Sequence, residues 1–172
     1  MGRIFRGGAR AERGEPAIGL SELAEGLEGV QTSGTRYTLP LFFAWLAELC
    51  GRAGRVEDGW AALRKGLAMA EDTGDGFSLP EFHRIQSQLL LVGSARNKAE
   101  AEACIERALG MAHGRGARGL ELRAATSLAR LRGEQGRRNE AREVLGPICS
   151  WFTEGFQTPD LLDAKRLLDD LA

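Results

Sequence analysis

A chain of 172 residues with 43% hydrophobic and 27% charged side chains has the make-up of a soluble globular protein with one core. Its net charge of -1 lacks the basic bias of a dedicated nucleic-acid or membrane-surface binder, so neither is an expected partner. Cys50, Cys104 and Cys149 stand far apart with no CxxC or His/Cys cluster, and no apolar stretch reaches leader or membrane-spanning length. The expectation is a cytoplasmic protein with free thiols and no metal or cofactor.

Residues 1–13, MGRIFRGGARAER, are rich in glycine and arginine and poorly patterned. They stand where the first helix of a pair belongs and read as a truncated repeat helix, with a single helical-repeat domain over residues 14–172. Gly14 then falls at a turn, Pro16 suits the first turn of a helix, and Ile18, Leu20, Leu23, Leu27 and Val30 form its apolar stripe. With its partner helix incomplete, the face at Ile18, Leu20 and Leu27 is expected to lie open and to invite self-association.

The loop QTSGTRYTLP leads to a helix from about Pro40 to Arg52, with Leu41, Phe42, Trp45, Leu46 and Leu49 apolar. Phe43 lies off that stripe, which suits a helix buried on two sides. A second helix follows from about Val56 to Thr73, ended by Gly74 and Gly76. The next pair is predicted at Leu79 to Val92 and Lys98 to Met111, and the third at Gly119 to Gln135 and Arg138 to about Phe152. Pro147 should kink or end the last of these near Gly146. Thr158-Pro159-Asp160 is a helix-start signal, and the segment to Leu171 is apolar on one face and charged on the other, as in a terminal cap.

These elements repeat. Leu46, Ala47, Leu49, Gly51, Gly54, Arg55 and Leu63 return as Leu128, Ala129, Leu131, Gly133, Gly136, Arg137 and Leu145. Leu39-Pro40 returns as Leu79-Pro80, and Gly54, Gly59, Leu63 and Gly66 mirror Gly14, Gly19, Leu23 and Gly26. A fixed period of about 40 to 42 residues signals stacked supersecondary units. Ala47, Ser87 and Ala129 on first helices, and Gly19, Gly59, Ala101 and Ala141 on second helices, are the small positions that let paired helices approach. Gly14, Gly54 and Gly136 stand where the turn demands positive φ. No stretch alternates as a strand would, so the fold class is all-α, a right-handed α-solenoid of antiparallel helix pairs.

These positions resemble the tetratricopeptide-repeat pattern: Leu46-Ala47 and Leu128-Ala129 at the first pattern pair, Ala101 and Ala141 at the small second-helix position, Ala108-Leu109 at the later Ala-Leu. The longer period, and Cys50 and Arg132 where an aromatic is expected, point to the MalT-like branch. PEFHRIQSQLLL, LELRAATSLARL and WFTEGFQTPDLLDAKRLLDDL are similar to the C-terminal helical-repeat region of bacterial AAA-ATPase and nucleotide-cyclase signalling proteins. That resemblance implies a non-catalytic scaffold whose partner is a protein or peptide, including another domain of a longer relative.

No chemistry-bearing motif competes with it. A phosphate loop of the form GxxxxGK[ST] is absent, and Gly7-Gly8 and Gly114-Gly116 read as turns. His83 and His113 have no second group placed beside them, and Ser87, Ser127 and Ser150 lack a nucleophile elbow. Residues 115–142 hold eight arginines against three glutamates, in a chain whose only lysines are Lys65, Lys98 and Lys165. The groove lined by first helices is the expected docking surface, with Tyr37, Phe43, His83, Arg84, Arg123 and Arg130 as candidate contacts. The competing expectation is a sensor that takes a small ligand or nucleic acid in the same groove.

Overall fold

The computed structural model describes residues 1–32, 38–93 and 97–172, and among them there are only helices. In chain order these are α1 (Gly2–Glu12), α2 (Pro16–Thr32), α3 (Leu39–Arg52), α4 (Val56–Thr73), α5 (Leu79–Gly93), α6 (Lys98–Gly114), α7 (Arg118–Glu134), α8 (Arg138–Ser150) and α9 (Pro159–Asp170). Each odd-numbered helix up to α7 packs along the next even-numbered one. The odd helices also approach one another closely in sequence, α1 to α3 and on to α9, whereas the backbones of α2, α4, α6 and α8 stay farther apart among the described residues and meet through long side chains such as Gln31 with Lys65 and Trp60 with Cys104. Close odd helices and splayed even helices bend the stack, putting the odd layer on the inner, concave side.

Small residues set the spacing within each pair. A Cβ on Gly59 would stand 3.2 Å from the Ala47 carbonyl oxygen, so helix α4 rides against α3 at backbone distance. Ala101, Ala129 and Ala141 are fully buried at the equivalent places, and Ser87 nearly so. The tight turns between paired helices use Gly14, Gly54 and Gly136 at φ of 96°, 74° and 80°, a region that costs other residues about 1–2 kcal/mol.

The N-terminal segment departs from expectation. Residues 2–12 form an eleven-residue helix, shorter than α3, α5 and α7 but long enough to complete the first pair, so the described residues hold four pairs and a cap. Gly7 and Gly8 are not a turn but its contact face. A Cβ on Gly7 would lie 2.7 Å from the Gly19 carbonyl oxygen, and one on Gly8 would collide with the Trp45 ring. The face read as open is consequently closed at Leu20 and Leu27, both buried; Ile18 stays exposed.

Pro147 does not end α8, which runs on to Ser150, whose Oγ donates to the Gly146 carbonyl at 2.9 Å. Helix α9 caps the stack as its pattern foretold. Leu161, Ala164 and Leu171 join the core with Leu122, Ala125, Ala129, Ala141 and Leu145, while Asp163, Lys165, Arg166, Asp169 and Asp170 face outward.

A candidate binding surface on the inner helix layer

The repeat brings equivalent positions of successive inner helices side by side. Leu41, Glu81 and Arg123 share one register position, and Glu48, Gln88 and Arg130 another. Charges separated by tens of residues in sequence therefore meet across α3, α5, α7 and α9.

Arg84 is the buried centre, 3% exposed. Its Nε donates to Glu81 Oε2 at 2.9 Å, and its Nη2 lies 2.6 Å from Glu81 Oε1 and 2.8 Å from Glu48 Oε1. Arg123 closes the set from α7: Nη2 donates to Glu48 Oε2 at 3.0 Å and Nη1 stands 2.9 Å from Glu81 Oε1, with Asp160 of α9 at 4.0 Å from its Nε. Arg130 forms an exposed two-oxygen pair with Asp163 at 2.9 and 2.8 Å. Burial alone would raise the Glu48 carboxyl, but the Arg84 and Arg123 guanidiniums outweigh it and hold Glu48 below its ordinary value. Burial opposes the charge on Arg84 as well, and Glu81 and Glu48 more than restore it.

A cleft of about 390 Å³ opens over this network, with Glu48, Arg52, Arg84, Arg123, Arg130 and Asp163 in its wall. Both oxygens of Glu48, Glu81 and Asp163 already accept from arginine. Arg52 is exposed and has no carboxylate within 4 Å among the described residues, and Arg123 and Arg130 keep unused N–H groups. The spare hydrogen-bonding capacity is that of donors, so the surface can take a further acceptor.

Next to the cleft, toward the N-terminus, the inner face turns apolar. Phe5 and Leu41 are exposed, and Phe5 meets Phe42 edge to face at 5.5 Å and Trp45 at 6.4 Å between ring centres. A notch of about 190 Å³ lies where Leu41, Phe42 and Trp45 meet Glu48, Glu81 and Arg123. Sequence reasoning passed over this shelf, although Phe5 and Trp45 hold the same repeat position.

The candidate contacts thus divide. Arg84, Arg123 and Arg130 come together on the inner face, though Arg84 is an internal strut rather than a free contact. Phe43 and His83, one repeat apart, point the other way, toward the outer helices. Phe43 is 4% exposed, packed against Gly66 and with Lys65 Nζ 5.0 Å from its ring centre. Burial, and then the Arg107 guanidinium of α6, lower the pKa of His83, whose Nδ1 is buried without a hydrogen-bond partner. Tyr37 lies outside the described residues. His113, in the last turn of α6, has a second group beside it that the sequence did not show: its Nδ1 is 2.7 Å from Glu121 Oε1, a buried carboxylate also held by Arg118 at 2.6 Å. The cleft beside it is walled by Leu109, Leu128, Val144 and Ile148 and carries no hydroxyl or thiol. Among the described residues no three His, Cys, Asp or Glu side chains could hold a metal ion, and no helix is long and apolar enough to cross a membrane.

No protein-family model matches the chain. An uncharacterized protein of Rhizobium meliloti (strain 1021) is 30% identical over 128 residues, which are 74% of this chain and only 12% of that relative's length. Among solved structures, the nearly identical TPR-like repeats of a Podosopora anserina kinesin light chain align with a TM-score of 0.65 and 16% identity, over 99% of this chain and 83% of that one. At that identity the likeness speaks for the fold alone: a tetratricopeptide-like α-solenoid.

Proposed function

We propose that the chain is a non-catalytic docking module whose inner face holds a segment of a protein partner. The observation that carries this is the adjacency of two complementary surfaces, an apolar shelf of exposed Phe5 and Leu41 beside half-buried Trp45, and an arginine cleft with donors to spare. Aromatic and arginine side chains dominate binding energy at protein interfaces. The fitting partner offers an apolar side chain to the shelf and a carboxylate to Arg52, Arg123 or Arg130. Each inner-face arginine except Arg52 is answered by an acid, which speaks against a phosphate backbone as the occupant.

The MalT-like character, the cytoplasmic setting and the kinship with AAA-ATPase and cyclase signalling proteins belong to the same proposal. They rest on the sequence resemblance and on the relative being far longer than the stretch it shares. On this reading the partner is a neighbouring domain or a separate signalling protein.

Peptides selected by display on the full chain, then titrated by fluorescence polarisation, test the docking role. Trp45→Ala and Arg52→Glu should each weaken binding about tenfold or more, as should charge reversal at Arg123 and Arg130. Peptides that bind all of these variants as tightly as the parent would overturn it.

A further inference from the structure

The outer side of the stack carries a separate feature. Because the backbones of α2 and α4 stay apart, bridged only at one end by Gln31 with Lys65 and Met69, a wedge of about 420 Å³ opens between them with α3 as its floor. Leu20, Ala24 and Leu27 form one wall, Ala61 and Ala62 the other, and Phe43, Leu46 and Cys50 the base. That volume falls in the range of small-molecule sites, and Ser21, Glu28, Arg55, Asp58 and Lys65 add polar groups to the apolar lining.

The repeat shows why this wedge is empty and its successors are not. Leu20, Trp60 and Glu102 are equivalent positions. Trp60 fills the space between α4 and α6, packing on Leu90, Ala101 and Cys104. Glu102 spans the space between α6 and the next pair, accepting from Arg132 and Arg137 at 2.9 Å. In the first wedge the equivalent residue is only a leucine, and Arg55, which stands where Arg137 stands later, turns to Asp58 of its own helix at 2.7 Å.

Two opposite charges without ionic partners border the opening. Lys65 Nζ donates to Gln31 Oε1 at 3.1 Å but has no carboxylate within 4 Å among the described residues. Glu28 lies one helical turn before Gln31 on the same face of α2 and likewise has no cation within 4 Å. A cation and an anion about one turn apart, over an apolar slot, match a zwitterion with an apolar tail.

We propose that the wedge between α2 and α4 binds a free α-amino acid with a large apolar side chain, its carboxylate on Lys65, its ammonium on Glu28 and its side chain between Ala24, Leu46 and Ala61, over the buried Leu27 and Phe43. The site is on the opposite side from the docking surface and does not depend on it.

Isothermal titration of the whole chain with L-phenylalanine tests this. Saturable binding is expected, falling about tenfold or more for N-acetyl-phenylalanine, which lacks the ammonium, and for phenethylamine, which lacks the carboxylate. L-serine should not bind. Lys65→Gln and Glu28→Gln, both at exposed positions that leave the core intact, should each cost a similar factor, and Ala24→Phe should abolish binding by filling the slot. No saturable binding of L-phenylalanine would overturn the proposal. So would equal binding of the acetylated and free forms, or binding unchanged in both charge variants.

Discussion

Replacing Arg84 by methionine is the sharpest probe of how the inner layer is held together. The substitution keeps most of the side-chain volume and removes a guanidinium with three short contacts, to Glu81 at 2.9 and 2.6 Å and to Glu48 at 2.8 Å. Glu81 and Glu48 stay 3% and 9% exposed, with Arg123 alone to neutralise two carboxylates. Breaking a buried ion pair from one side costs about 3–5 kcal/mol, because a desolvated charge loses its partner. For a chain of this size that is a fall in Tm of about 6–20 °C. Arg130→Ala provides the contrast, because Arg130 and Asp163 are roughly half exposed, and such a pair contributes about 0–1 kcal/mol. The double variant Glu81→Leu with Arg84→Met should recover part of the loss, since the second pair carries Leu41 and Ala44 at those two positions. Urea unfolding followed by circular dichroism measures all three. An Arg84→Met protein within 1 kcal/mol of the parent, no worse than Arg130→Ala, would refute the assignment of Arg84 as a strut.

Glu121→Leu should behave oppositely, leaving stability unchanged or raising it by up to about 2 kcal/mol in the same unfolding assay. Leu39 and Leu79 occupy that register in the preceding pairs, and the groups it releases, His113 and Arg118, remain solvated. Acid should weaken the fold in two stages, read as the urea midpoint against pH. Burial and Arg107 hold His83 below its ordinary 6.5, so the unfolded chain binds that proton first and a shallow decline begins below about pH 6.5. Glu48, Glu102 and Glu121 are raised by burial but lowered further, Glu48 and Glu102 by arginines and Glu121 by His113 and then Arg118. Their stabilisation is full above their ordinary 4.5 and is lost as pH falls below it, giving the steeper second stage. His83→Gln should remove the first stage and leave the second.

The spacing of small and apolar residues was enough to place the helix pairs, their turns and the cap, because those features depend on backbone approach and on positive φ. Residues 1–13 were misread for a physical reason. Glycine lowers helix propensity, yet Gly7 and Gly8 are there because α1 must lie against Gly19 and beneath Trp45, a tertiary demand invisible in a local window. The arginines of the inner face were legible as a cluster, but their acids were not, since a charged helix position looks the same whether it faces water or a neighbouring helix. Phe43 and His83 needed the structure to be placed. The third member of their series is Ala125, fully buried, which marks a face turned toward the outer helices.

Function in such a stack is carried by departures from the repeat. Positions that keep one chemistry throughout, such as Ala47, Ser87 and Ala129, fix the distance between helices and can recognise nothing, because they are covered. On the inner layer Phe5 and Trp45 are aromatic and Ser127 of the same series is polar, with Ile85 buried between them, and the outer series Leu20, Trp60 and Glu102 changes from an open wedge to a filled and then an ion-bridged one. An identical residue at every turn would give a uniform surface with no preferred register for a ligand. Under the proposed docking role, the gradient on the inner face would instead give the occupant a direction, with its apolar end toward α1 and its acidic end toward α9. The buried network of Glu48, Glu81, Arg84 and Arg123 lies at the junction of the two halves, so what holds α3, α5 and α7 together also fixes the distance between shelf and cleft.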